Sequence, residues 1–128
     1  MNIRELQDRA HTHAAEKGFW DDYNVTIAKC LLDKNPEMVE PIRAAFIGQK
    51  LALIHSEVTE ALEEVREGNY SATHSPGGKP EGLPSELADV VIRVADLCGA
   101  LNIDLQATIE EKLAYNAAAR GHKHGKKF

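Results

Sequence analysis

Apolar positions recur at helical spacing along most of the chain. In residues 2 to 17, Ile3, Leu6, Ala10 and Ala14 share one side, and Gly18 ends the stretch, which predicts a first helix. Val25, Ile27, Ala28, Leu31 and Leu32 predict a second, ending near Asn35. Asn35 before Pro36 is placed to cap a third helix, because a proline at the first helical position gives up only an amide that has no partner there anyway. Pro41 is tolerated near that start or kinks it. From about Ala44 to Glu67 the helical pattern is long and clear.

Residues 68 to 84, "GNYSATHSPGGKPEGLP", are rich in Gly, Pro and Ser and show no periodicity, so they read as a flexible loop and not as a strand. Loops beyond about 12 to 15 residues in compact domains are usually functional or disordered. Ser85 can cap a fourth helix running to about Ala100, and Asp104 a fifth running to about Ala119. Nothing alternates with period two for long enough to make a sheet. The expected fold is all-α, a bundle of four or five helices, and 128 residues suit one domain spanning 1–128.

On the third helix, at about 100° per residue, Leu51, Ile54, Val58, Ala61, Leu62 and Val65 fall in one sector, the expected core face. Glu57, Glu60 and Glu64 share a neighbouring face with Lys50 and Leu53, and Glu57 borders the apolar stripe. On the fourth helix, Leu87, Ala88, Val90, Val91, Ile92, Val94, Ala95, Leu97 and Cys98 cover most of the circumference, predicting a largely buried element. Its charged residues, Glu86, Asp89, Arg93 and Asp96, collect within about 80° of one another. Buried carboxylates need partners. One solution is an ion-pair network in which Arg93 and Lys50 neutralise the acids. The other is a metal. E57-x-x-E60 and E86-x-x-D89 each set two carboxylates one turn apart, and packing the two faces antiparallel gathers four oxygen ligands. A hard divalent cation relieves their repulsion, and Mg²⁺ is the expected ion, with Mn²⁺ able to substitute.

Composition narrows the partners. The chain is 43% hydrophobic and 27% charged, with no apolar run near the roughly 20 residues that span a bilayer. The charged amino terminus lacks the apolar centre of a signal peptide, so a cytoplasmic location is expected. A net charge of −5 argues against nucleic acid as the main partner. Residues 120 to 128, "RGHKHGKKF", are nonetheless basic, either a frayed end or a match for a polyanion. Cys30 and Cys98 sit among apolar residues, as reduced core cysteines do.

Three stretches, "LALIHSEVTEALEEVR", "KPEGLPSELADVVIRVADLC" and "KLAYNAAARGHKHGKK", together resemble the MazG-like all-α nucleoside triphosphate pyrophosphohydrolases in order and spacing: E-x-x-E, loop, E-x-x-D, then K-x-x-Y-N-x-x-x-R. "GFWDD" is similar to the aromatic segment that precedes the metal helices in that family. The resemblance implies Mg²⁺-dependent hydrolysis between the α and β phosphates of a nucleoside triphosphate, releasing the monophosphate and pyrophosphate. It implies Glu57, Glu60, Glu86 and Asp89 as metal ligands and Lys112, Asn116 and Arg120 as phosphate contacts. Those three are spaced i, i+4, i+8, so they lie on one stripe of the fifth helix. Glu64 is the candidate general base, although Ser56 stands where relatives begin the motif with a second acid. Lys50 is a candidate substrate contact. Trp20 either stacks on the base or packs in the core. The loop around Lys79 and Pro80 is placed to close over the nucleotide. Family members assemble as dimers or tetramers, so a homodimer or homotetramer is expected.

Overall fold

The computed structural model describes residues 1–119. Five α-helices occur among them: α1 (Ile3–Glu16), α2 (Asp21–Leu32), α3 (Val39–Arg66), α4 (Leu83–Ala100) and α5 (Leu105–Ala119). The protein is mostly helical, as the periodicity predicts. None of these helices is long and apolar enough to cross a membrane.

Each helix end has a local cause. Asn2 caps α1 by accepting the Glu5 amide on its side chain at 2.8 Å. Gly18, at φ 84°, turns the chain out of α1 and into the 17–20 turn. Asp104 caps α5 as expected, accepting the Ala107 amide at 3.0 Å, and it also pairs with Arg4 at 3.1 Å, which ties the start of α5 to α1.

Two expected caps are corrected. Asn35 makes no side-chain cap; Pro36–Met38 form a single 3-10 turn that runs into α3, so the helix begins about five residues before Ala44. Ser85 does not cap α4 either. The helix starts at Leu83 with Gly82 before it, and the Ser85 hydroxyl donates back to the Pro80 carbonyl at 3.2 Å. Gly82 has φ 90°, and a Cβ there would lie 2.2 Å from the Ser71 carbonyl oxygen, so only glycine fits this entry to α4.

The 68–84 segment is also corrected. Within it, β1 (Thr73–His74) and β2 (Pro80–Glu81) pair antiparallel, with Thr73 opposite Glu81 and His74 opposite Pro80. This small hairpin is too short for period-two patterning to reveal. Backbone bonds from the Asn69 amide to the Glu64 carbonyl and from the Leu83 amide to the Asn69 carbonyl tie its base to both long helices.

α4 is the central element, with α1 along one side and α3 along the other; α2 packs on α3 and α5 on α1. Gly99 lets α1 approach closely, since a Cβ there would meet the His11 Cβ at 2.6 Å. The core is small: Ala14, Trp20 and Leu97, flanked by Tyr23, Ile54, Ala100 and Leu101. Among the described residues, no large side chain is fully buried.

The expected burial is therefore corrected on two helices. On α3 the covered stripe is Lys50, Ile54, Glu57, Ala61 and Glu64, whereas Leu51, Val58, Leu62 and Val65 are exposed. On α4 burial is confined to the second half, at Ala95, Leu97 and Cys98, while Leu87, Ala88, Val91 and Ile92 stand exposed.

Candidate metal centre

The stripe that α3 turns toward α4 is the one that carries its carboxylates. Glu57 pairs with Arg93, while Glu60, one turn later on α3, lies within 4.8 Å of Glu86, two turns earlier on α4. Later residues of one helix thus meet earlier residues of the other, so the two helices run antiparallel. Glu57, Glu60 and Glu86 each offer a ligand oxygen, and these oxygens lie within 4.8 Å of one another. Asp89 lies outside that group of three but close enough to act on Glu86.

The electrostatics record the crowding. Burial pushes the Glu86 carboxyl above its ordinary value, and the neighbouring charges of Glu60 and Asp89, the hydrogen bond with Glu60 and the charge of Glu57 raise it further. Every one of these causes disfavours the ionised form, and a cation bound among the carboxylates would reverse them. Glu57 is only 7% exposed, the one buried charged side chain among the described residues. Its partner is Arg93, whose Nε donates to Oε1 at 2.5 Å.

The donor set fits a hard cation. Mg²⁺ and similar hard divalent cations take carboxylate oxygens, and the three offered here lie within 4.8 Å of one another. Glu60 is exposed and Glu86 half-buried, which leaves one side of the cluster open to water or substrate oxygens.

Of the two cations expected to neutralise the acids, Arg93 does so at Glu57 and Lys50 does not. The Lys50 ammonium donates to the Phe19 carbonyl at 2.8 Å and lies 4.5 Å over the Trp20 ring. It lines a cleft of about 430 Å³ with Gly18, Asp22, Gln49, Arg93 and Asp96. A second cleft, of about 230 Å³, shares Phe19, Arg93 and Asp96 with the first and includes His13, Glu57 and Asp89 in its wall.

Trp20 is 4% exposed and belongs to the core, so the base-stacking expectation is corrected in favour of packing. Its indole N–H donates to both Asp96 oxygens, at 2.9 and 3.2 Å, and His11 Nδ1 lies 2.9 Å from Asp96 Oδ1. Edge-on ring contacts join His11, Trp20, Tyr23 and Phe46 in series. The sequence shows Asp96 on the charged stripe of α4 but carries no sign of these partners, which lie 76 and 85 residues away.

Glu64 is half-buried on α3, one turn beyond Glu60 and outside the converging group. Lys112 and Asn116 are exposed on α5, whose main packing is against α1. Lys112 lies 5.7 Å from the Tyr115 ring centroid, and among the described residues neither it nor Asn116 bonds to the carboxylates. Arg120, His122 and His124 lie outside the described residues. No family model, curated protein or solved structure matches the chain.

Proposed function

We propose that the protein is a cytoplasmic, Mg²⁺-dependent nucleoside triphosphate pyrophosphohydrolase of the MazG-like all-α type, cleaving between the α and β phosphates. The observation that carries this reading is the convergence of Glu57, Glu60 and Glu86 from two helices at the mouth of the α3–α4 seam.

Glu57, Glu60 and Glu86 would hold the ion, with Asp89 beside them. Mg²⁺ bound there supplies charge relief on phosphate oxygens and a water of lowered pKa. The 430 Å³ cleft beyond Arg93 has room for the nucleoside, with the Gln49 amide and the Asp22 carboxylate in its wall for hydrogen bonding. Glu64, one turn beyond Glu60, would be the carboxylate that takes a proton from the attacking water. Lys112, Asn116 and Arg120 are assigned to the leaving phosphates by the resemblance.

Surface area supports the oligomer. The chain exposes 9286 Å². Granting residues 120–128 the full area of an extended segment removes about 1,550 Å², and a monomer of the remaining mass would expose about 6,350 Å². The excess, about 1,400 Å², exceeds the ~800 Å² that each partner commonly buries in a stable complex. Leu51, Val58, Leu62 and Val65 on α3, with Leu87 and Val91 on α4, are exposed apolar side chains that a second copy would cover.

The Arg93–Glu57 pair is the one observation that favours a non-catalytic helical interaction module. Pyrophosphate release from a panel of triphosphates, with and without Mg²⁺, separates the two readings. Release of orthophosphate would indicate a hydrolase acting at the terminal phosphate instead.

A further inference from the structure

Glu57 occupies an unusual place in the cluster. It offers a ligand oxygen to the group formed with Glu60 and Glu86, and it accepts a bond from Arg93 on its Oε1. A guanidinium stays protonated at any working pH, so Arg93 is a permanent positive charge fixed to this carboxylate. Its place on α4 matters: Glu86, Asp89 and Arg93 follow one another at i, i+3 and i+7 on a single stripe, so Arg93 closes the acid row at the end away from the hairpin.

Centres that hold two divalent ions place them about 3.5–4 Å apart, with the same carboxylates serving both. Here the ligand oxygens of Glu57, Glu60 and Glu86 lie within 4.8 Å of one another, and Asp89, outside that group, lines a cleft with Glu57 and Arg93. A second ion between Glu57 and Asp89 would need the side of Glu57 that Arg93 already holds. Arg93 lines both clefts, one of them together with Glu57 and Asp89, and its side chain is partly exposed while its Nε holds Glu57.

Resting on the metal reading above, we infer that Arg93 is a positioning residue that takes the place of a second cation: it fixes the Glu57 carboxylate and restricts the resting centre to one divalent ion per chain. The prediction is a gain of binding, which a purely structural arginine would not give. Arg93→Met keeps the length of the side chain and removes its charge, leaving Glu57 and Asp89 to accept a second ion. Arg93→Lys keeps the charge and with it the single ion.

The test is calorimetric titration of the full chain with Mn²⁺ in the absence of nucleotide, read together with electron paramagnetic resonance. One Mn²⁺ per wild-type chain, two per Arg93→Met chain with the spectrum of a spin-coupled pair, and one per Arg93→Lys chain is the expected result. Two ions in the wild type, two in Arg93→Lys, or one in a folded Arg93→Met overturns the inference and leaves the metal centre standing. A wild-type chain that binds no Mn²⁺ overturns both. If Arg93→Met does not fold, the wild-type and Arg93→Lys stoichiometries still decide.

Discussion

Glu60 and Glu86, carried by two antiparallel helices, bring carboxylate oxygens within 4.8 Å of each other and of Glu57. Burial and the neighbouring charges hold the Glu86 carboxyl above its ordinary 4.5. The folded chain therefore binds more protons than the unfolded one as pH rises past that value. By linkage, metal-free stability falls with rising pH across the window between the unfolded and folded pKa of Glu86. Asp104 acts in the opposite sense at lower pH: the Ala107 amide and Arg4 hold it below its ordinary 3.8, so its contribution is present above that value and is lost as pH falls. Thermal melts across pH with a chelator should show the Glu86 loss. Adding Mg²⁺ at neutral pH should raise the melting temperature, because the ion replaces the missing proton.

Glu57 and Glu60 should respond in opposite directions to loss of charge. Glu60→Gln relieves repulsion within the cluster and leaves the Arg93 pair intact, so the metal-free protein should melt at or above the wild-type temperature. Glu57→Gln deprives Arg93 of its carboxylate. With Arg93 partly open to water, the cost should be about 1–3 kcal/mol, measured by denaturant unfolding. Both variants should lose Mg²⁺ binding.

Trp20 reports on the core hub. Trp20→Phe removes the indole N–H that both Asp96 oxygens accept, and should destabilise the fold by about 1–3 kcal/mol while helical content is kept. As the only tryptophan, it gives a direct optical check. Wild-type emission should be that of a buried indole and shift to the red on unfolding.

The exposed apolar face of α3 should be covered in solution. Val58→Glu puts a charge in its centre and should shift the sedimentation coefficient from that of a homo-oligomer to that of a single chain. An unchanged coefficient for a wild type that sediments as a monomer would remove the oligomer from the proposal.

The helices and most of their ends were readable because their causes are local: Gly18 after α1, Asp104 before α5, Gly and Pro between α3 and α4. Phase was not. Leu51, Val58, Leu62 and Val65 mark the most apolar face of α3, yet within the chain α4 covers the face that carries Glu57 and Glu64. Periodicity shows that one face avoids water but not whether the same chain or another copy shields it. The E-x-x-E and E-x-x-D spacings placed the acids on stripes, and the antiparallel seam brought three of them together. The Arg93–Glu57 pairing and the Asp96 hub depend on contacts distant in sequence. Gly82 was readable as a loop residue, but its role at the start of α4 depends on the Ser71 carbonyl that approaches it.

The most direct test follows the phosphorus atoms. Phosphorus-31 NMR of a nucleoside triphosphate incubated with the protein and Mg²⁺ should show the monophosphate and pyrophosphate growing together, with no diphosphate, and no turnover with Glu60→Gln. Appearance of diphosphate and orthophosphate, or an unchanged triphosphate spectrum with the wild type across all bases, would contradict the account.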